Sequence, residues 1–139
     1  MATGTAFSDK MEQDILNRYL KNTTTVIGAL PATVYVGLGT AGTDVSLTEP
    51  ASSRGYTRQS IVFGTVGTTA GSITAPTAAV TFGQCTGANW GTITSFAIYD
   101  ATDTSTGNML FWGGLGSSVD INVNDRFEFA TNSITITVD

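Results

Sequence analysis

The sequence predicts a mainly β domain, an antiparallel β-sandwich or jelly-roll-like barrel of about seven strands, with one N-terminal amphipathic α-helix. Two patterns carry this. One stretch near the start repeats its apolar residues every three or four positions; everything after it repeats them every two, in short runs separated by Gly-rich turns. Length agrees, because 139 residues make one domain of ordinary size that buries roughly two-thirds of the surface of its unfolded chain. The expected division is an arm over residues 1–6, a helix over 7–21 and a sandwich over 33–139.

In the segment AFSDKMEQDILNRYLKN, Phe7, Met11, Ile15 and Tyr19 recur at intervals of four, and Leu16 and Leu20 widen the stripe. Lys10, Gln13, Asp14, Asn17 and Arg18 fall elsewhere. Ser8 or Asp9 suits the N-cap, Asp9 and Glu12 have the spacing of a reciprocal cap, and Lys21 and Asn22 suit the end. A helix this short is marginal alone in water, so its stripe is expected to dock on its own sheet, the alternative being a neighbouring subunit.

The strands follow in order: TVYVGL from Thr33 to Leu38, RQSIVF from Arg58 to Phe63, AAVTF from Ala78 to Phe82, TITSFAIYD from Thr92 to Asp100, MLFWGGL from Met109 to Leu115, DRFEFA from Asp125 to Ala130, and SITITVD from Ser133 to Asp139. Turn-forming residues separate them. The irregular stretches Thr40 to Gly55 and Thr65 to Pro76 read as surface loops inside one domain. Internal repeats and heptads are absent from the sequence.

Only 12% of residues are charged, against about 25% in an average soluble domain. Polar surface must therefore come from Thr, Ser and Asn, or be covered by partners. The net charge of -5 and the lack of a basic stripe argue against direct nucleic-acid binding. No segment has the roughly 20 apolar residues of a membrane helix, and none resembles a secretory leader. A single cysteine, Cys85, makes no internal disulfide.

Histidine is absent from the sequence, which removes Ser-His-Asp and Cys-His nucleophile systems and imidazole zinc sites. Cys85 lacks neighbouring cations and reads as a packed or loop residue rather than a reactive thiol. Asp100 and Asp103 fit turn formation better than calcium binding, since their spacing is not that of an EF-hand. No catalytic residue, cofactor or metal is expected. Trp90, Trp112, Tyr56 and Tyr99 make either core and cross-strand pairs or a sugar-stacking platform. The sequon at Asn22 reads as the end of the helix.

The stretch SRGYTRQSIVFG spends two of the six basic residues within five positions. Arg58 either ties down its own loop, through Glu49 or Asp100, or reaches another subunit; Arg54 is expected to be exposed.

FSDKMEQDILNRYL, PATVYVGLGT, GYTRQSIVFG, WGTITSFAIYDATDTSTGNMLFWGGL and NDRFEFATNSITITVD, in that order, resemble a family of small tailed-phage virion proteins labelled tail fibre proteins. The resemblance spans nearly the whole chain. It departs from the family's pattern at Gly39, where a bulkier residue is usual, and in the longer loop TEPASSRGY. It implies a virion structural protein, made in the host cytoplasm and bound to the major capsid protein or other virion subunits, with a homo-oligomer as a further expectation. One compact domain is expected to use the whole of this sequence, leaving none of it for a shaft. The expected role is therefore accessory capsid decoration or cement; the alternative is a tail-associated or tail fibre subunit, with a lectin-like host glycan-binding role possible through Trp90 or Trp112.

Overall fold

A computed structural model describes residues 2–21, 31–67 and 71–137, with residues 2–6 and 18 described by their backbone alone. Its elements are β1 (Ala2–Phe7), α1 (Asp9–Tyr19), β2 (Val34–Gly39), β3 (Ala41–Gly42), β4 (Leu47–Thr48), a 3-10 turn (Ser52–Arg54), β5 (Gln59–Ile61), β6 (Ser72–Ala75), β7 (Val80–Thr81), β8 (Gly91–Tyr99), β9 (Met109–Ile121), β10 (Glu128–Phe129) and β11 (Ile134–Thr137). The fold is mainly β, sandwich-like, with one helix near the N-terminus.

Seven strands form one sheet in the order β5-β2-β8-β9-β1-β11-β6, while β10-β7 and β3-β4 are two-stranded. The long sheet curls until its ends meet. Beyond Ile61 the chain leaves β2 and runs beside β6, where Gly64 N–H donates to Thr74 O at 2.9 Å and Gly67 N–H to Ser72 O at 2.7 Å. Thr77 N–H closes the seam on Val62 O at 3.0 Å. Part of the backbone that an open sheet would leave bare at the β6 end is thus paired with the chain that follows β5.

Alternation sets the core. Val36, Leu38, Ile93, Phe96, Ile98, Ile134 and Ile136 point inward and are buried. Tyr56, Phe82, Trp90, Phe127 and Phe129 fill the end beneath β7 and β10, with Phe127 and Phe129 edge to face at 4.9 Å and Tyr56 and Trp90 at 5.4 Å between ring centres.

Several expected boundaries change. Residues 1–6, read as an arm, supply most of β1, which lies between β9 and β11 and pairs parallel to the latter. Their short, mixed residues show no period-two pattern, and the pairing is dictated by two distant strands. The helix is Asp9–Tyr19 with Leu20 as its C-cap, shorter than 7–21; Asn22 and its sequon lie outside the described residues. The expected Thr65–Pro76 loop holds β6, whose alternation amounts to one apolar pair, Ile73 and Ala75, inside a Gly- and Thr-rich stretch. β9 continues to Ile121 through three glycines, and the strand expected over Asp125–Ala130 contracts to Glu128–Phe129.

The helix stripe is divided as well. Ser8 caps α1, its Oγ accepting from Met11 N–H at 3.2 Å while donating to Met109 O. Phe7, Met11 and Ile15 are half-buried, but Leu16, Tyr19 and Leu20 are 55%, 77% and 78% exposed. Asp14, placed by periodicity among the polar positions, is buried and salt-bridged to Lys10 at 2.6 Å.

Candidate functional site: a buried arginine beneath a polar loop

The two arginines of SRGYTRQ are both structural ties. Arg58 is buried, and its guanidinium meets the Glu49 carboxylate side-on, with Nε 3.0 Å from Oε1 and Nη2 2.6 Å from Oε2. Planar forks of this kind fix direction as well as charge. The guanidinium carbon also lies 3.3 Å from the centre of the Tyr99 ring. Tyr56 completes the cluster: its hydroxyl donates to Glu49 Oε1 at 2.6 Å and accepts Leu38 N–H at 2.8 Å. β5 pairs with β2 only as far as Gln59, so the Tyr56 hydroxyl takes over the next backbone donor of β2.

The third guanidinium nitrogen turns away from Glu49. Arg58 Nη1 donates toward the carbonyls of Ala101, Asp103 and Thr106, at 3.1, 2.8 and 3.3 Å. Those carbonyls belong to the loop between β8 and β9. Its side chains from Thr102 to Asn108 are exposed. Asp100 braces its two ends by accepting Asn108 N–H at 2.6 Å and the Asn108 amide at 2.8 Å, and Asp103 accepts the Ser105 N–H and hydroxyl at 2.8 and 2.7 Å. The loop is therefore shaped from below by a buried cation.

Electrostatics follow this layout. Burial alone would lower the Arg58 pKa; the hydrogen bonds and charge of Glu49 outweigh it and hold the guanidinium more firmly charged than usual. Burial, reinforced by the Glu49 charge, pushes the Tyr56 phenol far up and the Tyr99 phenol up to about 12. Hydrogen bonds from Ser105 pull the Asp103 carboxyl below its ordinary value.

A family described as podophage GP4 fiber I protein gp80 matches residues 6–137. The chain belongs to this phage fibre family. A search of curated proteins finds no match. In this Gp80-family chain the matched span takes in α1, every strand from β2 to β11 and the whole Glu49–Arg58 cluster.

The remaining candidates separate. Arg54, expected to be exposed, is partly covered and donates to Asn89 O at 2.6 Å, while its own carbonyl accepts the Trp90 indole N–H at 2.8 Å. Trp90 is 3% exposed and offers no face for stacking. Trp112 lies on the opposite side of the sheet from the main core, packed against Ala97, Tyr99 and Met109, with its indole nitrogen buried and unbonded among the described residues. Cys85 is buried with Sγ 3.2 Å from Ala88 O. Among the described residues no group of three or more His, Cys, Asp or Glu converges on a metal position. Phe7, Met11, Ile15 and Tyr19 lie on the N-terminal side, remote in sequence from the arginine cluster.

Glu49 and Tyr99 were legible only as single residues, Glu49 as one of two acids near Arg58 and Tyr99 as one aromatic among four. The signal that joins them is Gly37, whose missing side chain opens the face of β2 to the carboxylate; that signal is visible only once β2 and β8 are paired.

Proposed function

We propose that this chain is a fibre-associated subunit of a bacteriophage virion, acting by contact with other virion proteins and carrying no catalytic chemistry. The observation that carries the reading is the family match over residues 6–137, whose description names a fibre. The capsid-decoration role rests on the lack of a shaft in this sequence, the low charge and the Thr-rich surface, properties that also suit a small subunit attached to a fibre. The fibre reading has the family description in addition.

The geometry supports a contact role. Exposed polar side chains from Thr102 to Asn108 stand on a backbone held by three bonds from one buried guanidinium, so a partner meets a surface whose ordering entropy is already lost. The absence of histidine and the buried thiol support the lack of catalysis. A lectin-like role has the Thr102 to Asn108 loop as its surface and loses Trp90 as a platform.

Electron cryomicroscopy of intact particles, with an antibody fragment raised against the Thr102 to Asn108 loop, tests the reading. Label on fibres or at their attachment is expected. Label confined to the capsid lattice would return the decoration role.

A further inference from the structure

We infer that β1 and α1 form an exchangeable unit, and that in the assembled state the N-terminal strand of one copy completes the sheet of a second copy. The proposal stands on topology and is independent of where the protein sits on the particle.

β1 fills a slot one strand wide. It pairs antiparallel with β9, Thr3 opposite Gly114 and Phe7 opposite Phe111, and parallel with β11, Ala2 opposite Ile134. This is the one parallel pairing among the described strands. Both neighbours belong to the far end of the chain, so no short turn commits β1 to its own sheet. A strand supplied by a second copy would make the same hydrogen bonds in the same register.

The helix travels with the strand. Ser8 joins them and is fastened to β9, its N–H donating to Leu110 O at 3.0 Å, and the Phe7 ring sits 4.4 Å from that of Phe111. Beyond these anchors the seating is loose. Phe7 and Met11 line an open apolar groove of about 370 Å³, shared with Val34, Phe63, Ile73 and Leu110, so this side of the unit is not closed over among the described residues. Leu16, Tyr19 and Leu20 stay exposed, so the outer side of α1 adds little to its hold on the domain.

Reach is sufficient. Residues 20–33 join α1 to β2 and supply about 45 Å of contour at full extension, against a radius of gyration of roughly 14 Å for a domain of this length. Since exchange replaces each contact by an identical one, it loses only the freedom of association, and the high local concentration in an assembly offsets that loss.

The test uses two full-length chains, each with Cys85→Ala, one carrying Thr3→Cys and the other Gly114→Cys. Among the described side chains and backbone, a Cβ at position 114 meets Thr94 O at 4.0 Å, which leaves room for the substitution. After joint refolding and mild oxidation, a covalent pair of unlike chains is expected, because the disulfide joins strands of different copies. The doubly substituted chain reports whether the two positions meet within one copy. Closure only within single chains, with the mixture left unlinked, would overturn the proposal. Native mass spectrometry of the unsubstituted chain guards against misfolding of the variants: a single-copy mass at every concentration overturns it too, as does a dimer whose chains never cross-link.

Discussion

The Glu49 carboxylate occupies the space that a side chain at Gly37 would need. A Cβ at position 37 would lie 2.6 Å from Glu49 Oε1 and 3.1 Å from both the Tyr56 hydroxyl and Tyr99 Cε2. The smallest residue is therefore what admits the acid that holds Arg58. Gly37→Ala is expected to destabilise the domain by about 2–4 kcal/mol, the strain of an overpacked site plus weakening of the ion pair behind it. Urea denaturation against the parent chain measures this, and a change within 0.5 kcal/mol, the range of ordinary surface substitutions, would show that Glu49 relocates freely.

Arg58→Met removes a buried cation but leaves Glu49 in place. Breaking one side of such a pair costs about 3–5 kcal/mol, and here the loop between β8 and β9 also loses its three bonds from Nη1. Amide exchange from Thr102 to Asn108 should accelerate by more than exchange in β8. The paired change Glu49→Leu with Arg58→Met should recover part of the stability and none of the loop protection, because an apolar pair repairs the desolvation and not the carbonyl contacts.

The phenols give a pH dependence at the alkaline end. Tyr99 ionises at 10.0 in the unfolded chain and at about 12 in the fold. Below pH 10 both states are neutral and the contribution is complete; as pH rises toward 12 the unfolded state ionises first and stability falls, by roughly 3 kcal/mol at most for this group. Tyr56 is shifted in the same direction and steepens the loss. Denaturant midpoints measured across this window should drop, and Tyr99→Phe should flatten the slope. A parent chain with unchanged stability across the window would contradict the burial of both phenols.

The helix stripe predicts a split response. Ile15 is half-buried, and Ile15→Asp places an unpaired charge there, with an expected loss of about 2 kcal/mol. Leu16→Gln and Leu20→Gln fall on exposed positions and are expected to stay within about 0.5 kcal/mol in the isolated domain. Thermal melts of the three variants separate the faces; equal losses at all three would mean that α1 sits rotated from the observed docking.

What was legible in the sequence follows from where each signal is stored. Period-two runs such as Val34, Val36 and Leu38 declare their inward face locally, and the class of fold is written in them. Ser8 announced the start of α1 through a short-range cap. β1 has no large apolar residue before Phe7, and β6 has only the pair Ile73 and Ala75, so both are specified chiefly by the backbone groups of the distant strands beside them. Asp14 departs from its periodic assignment for a related reason: Lys10 one turn before it pairs the buried carboxylate, and periodicity weighs hydropathy without pairing. Arg58 was traced to Glu49 as one of two acids, and the three carbonyls it also serves come from a loop some forty residues further on, beyond any local rule.

Gly39 offers a sharper test, because the side chain missing there is answered by a side chain from another strand. A Cβ at position 39 would lie 2.6 Å from Leu47 Cγ, and Leu47 packs across that face against the cluster of Ala97, Tyr99 and Met109. Gly39 and Leu47 are thus two halves of one packing choice, the volume being supplied from β4 instead of β2. Gly39→Val alone should destabilise by about 1–3 kcal/mol through overpacking, and Leu47→Ala alone by about 2 kcal/mol or less, since Leu47 is only half-buried. Combined, the two should restore much of the loss, because valine fills the space that leucine vacates; the expected coupling is about 1–2 kcal/mol in the favourable direction. A double-mutant cycle on denaturation free energies measures it. Strict additivity would mean that the cost of valine comes from contacts other than Leu47, such as the Ala41 carbonyl 3.0 Å from the added Cβ, and the packing exchange between the two strands would then be wrong.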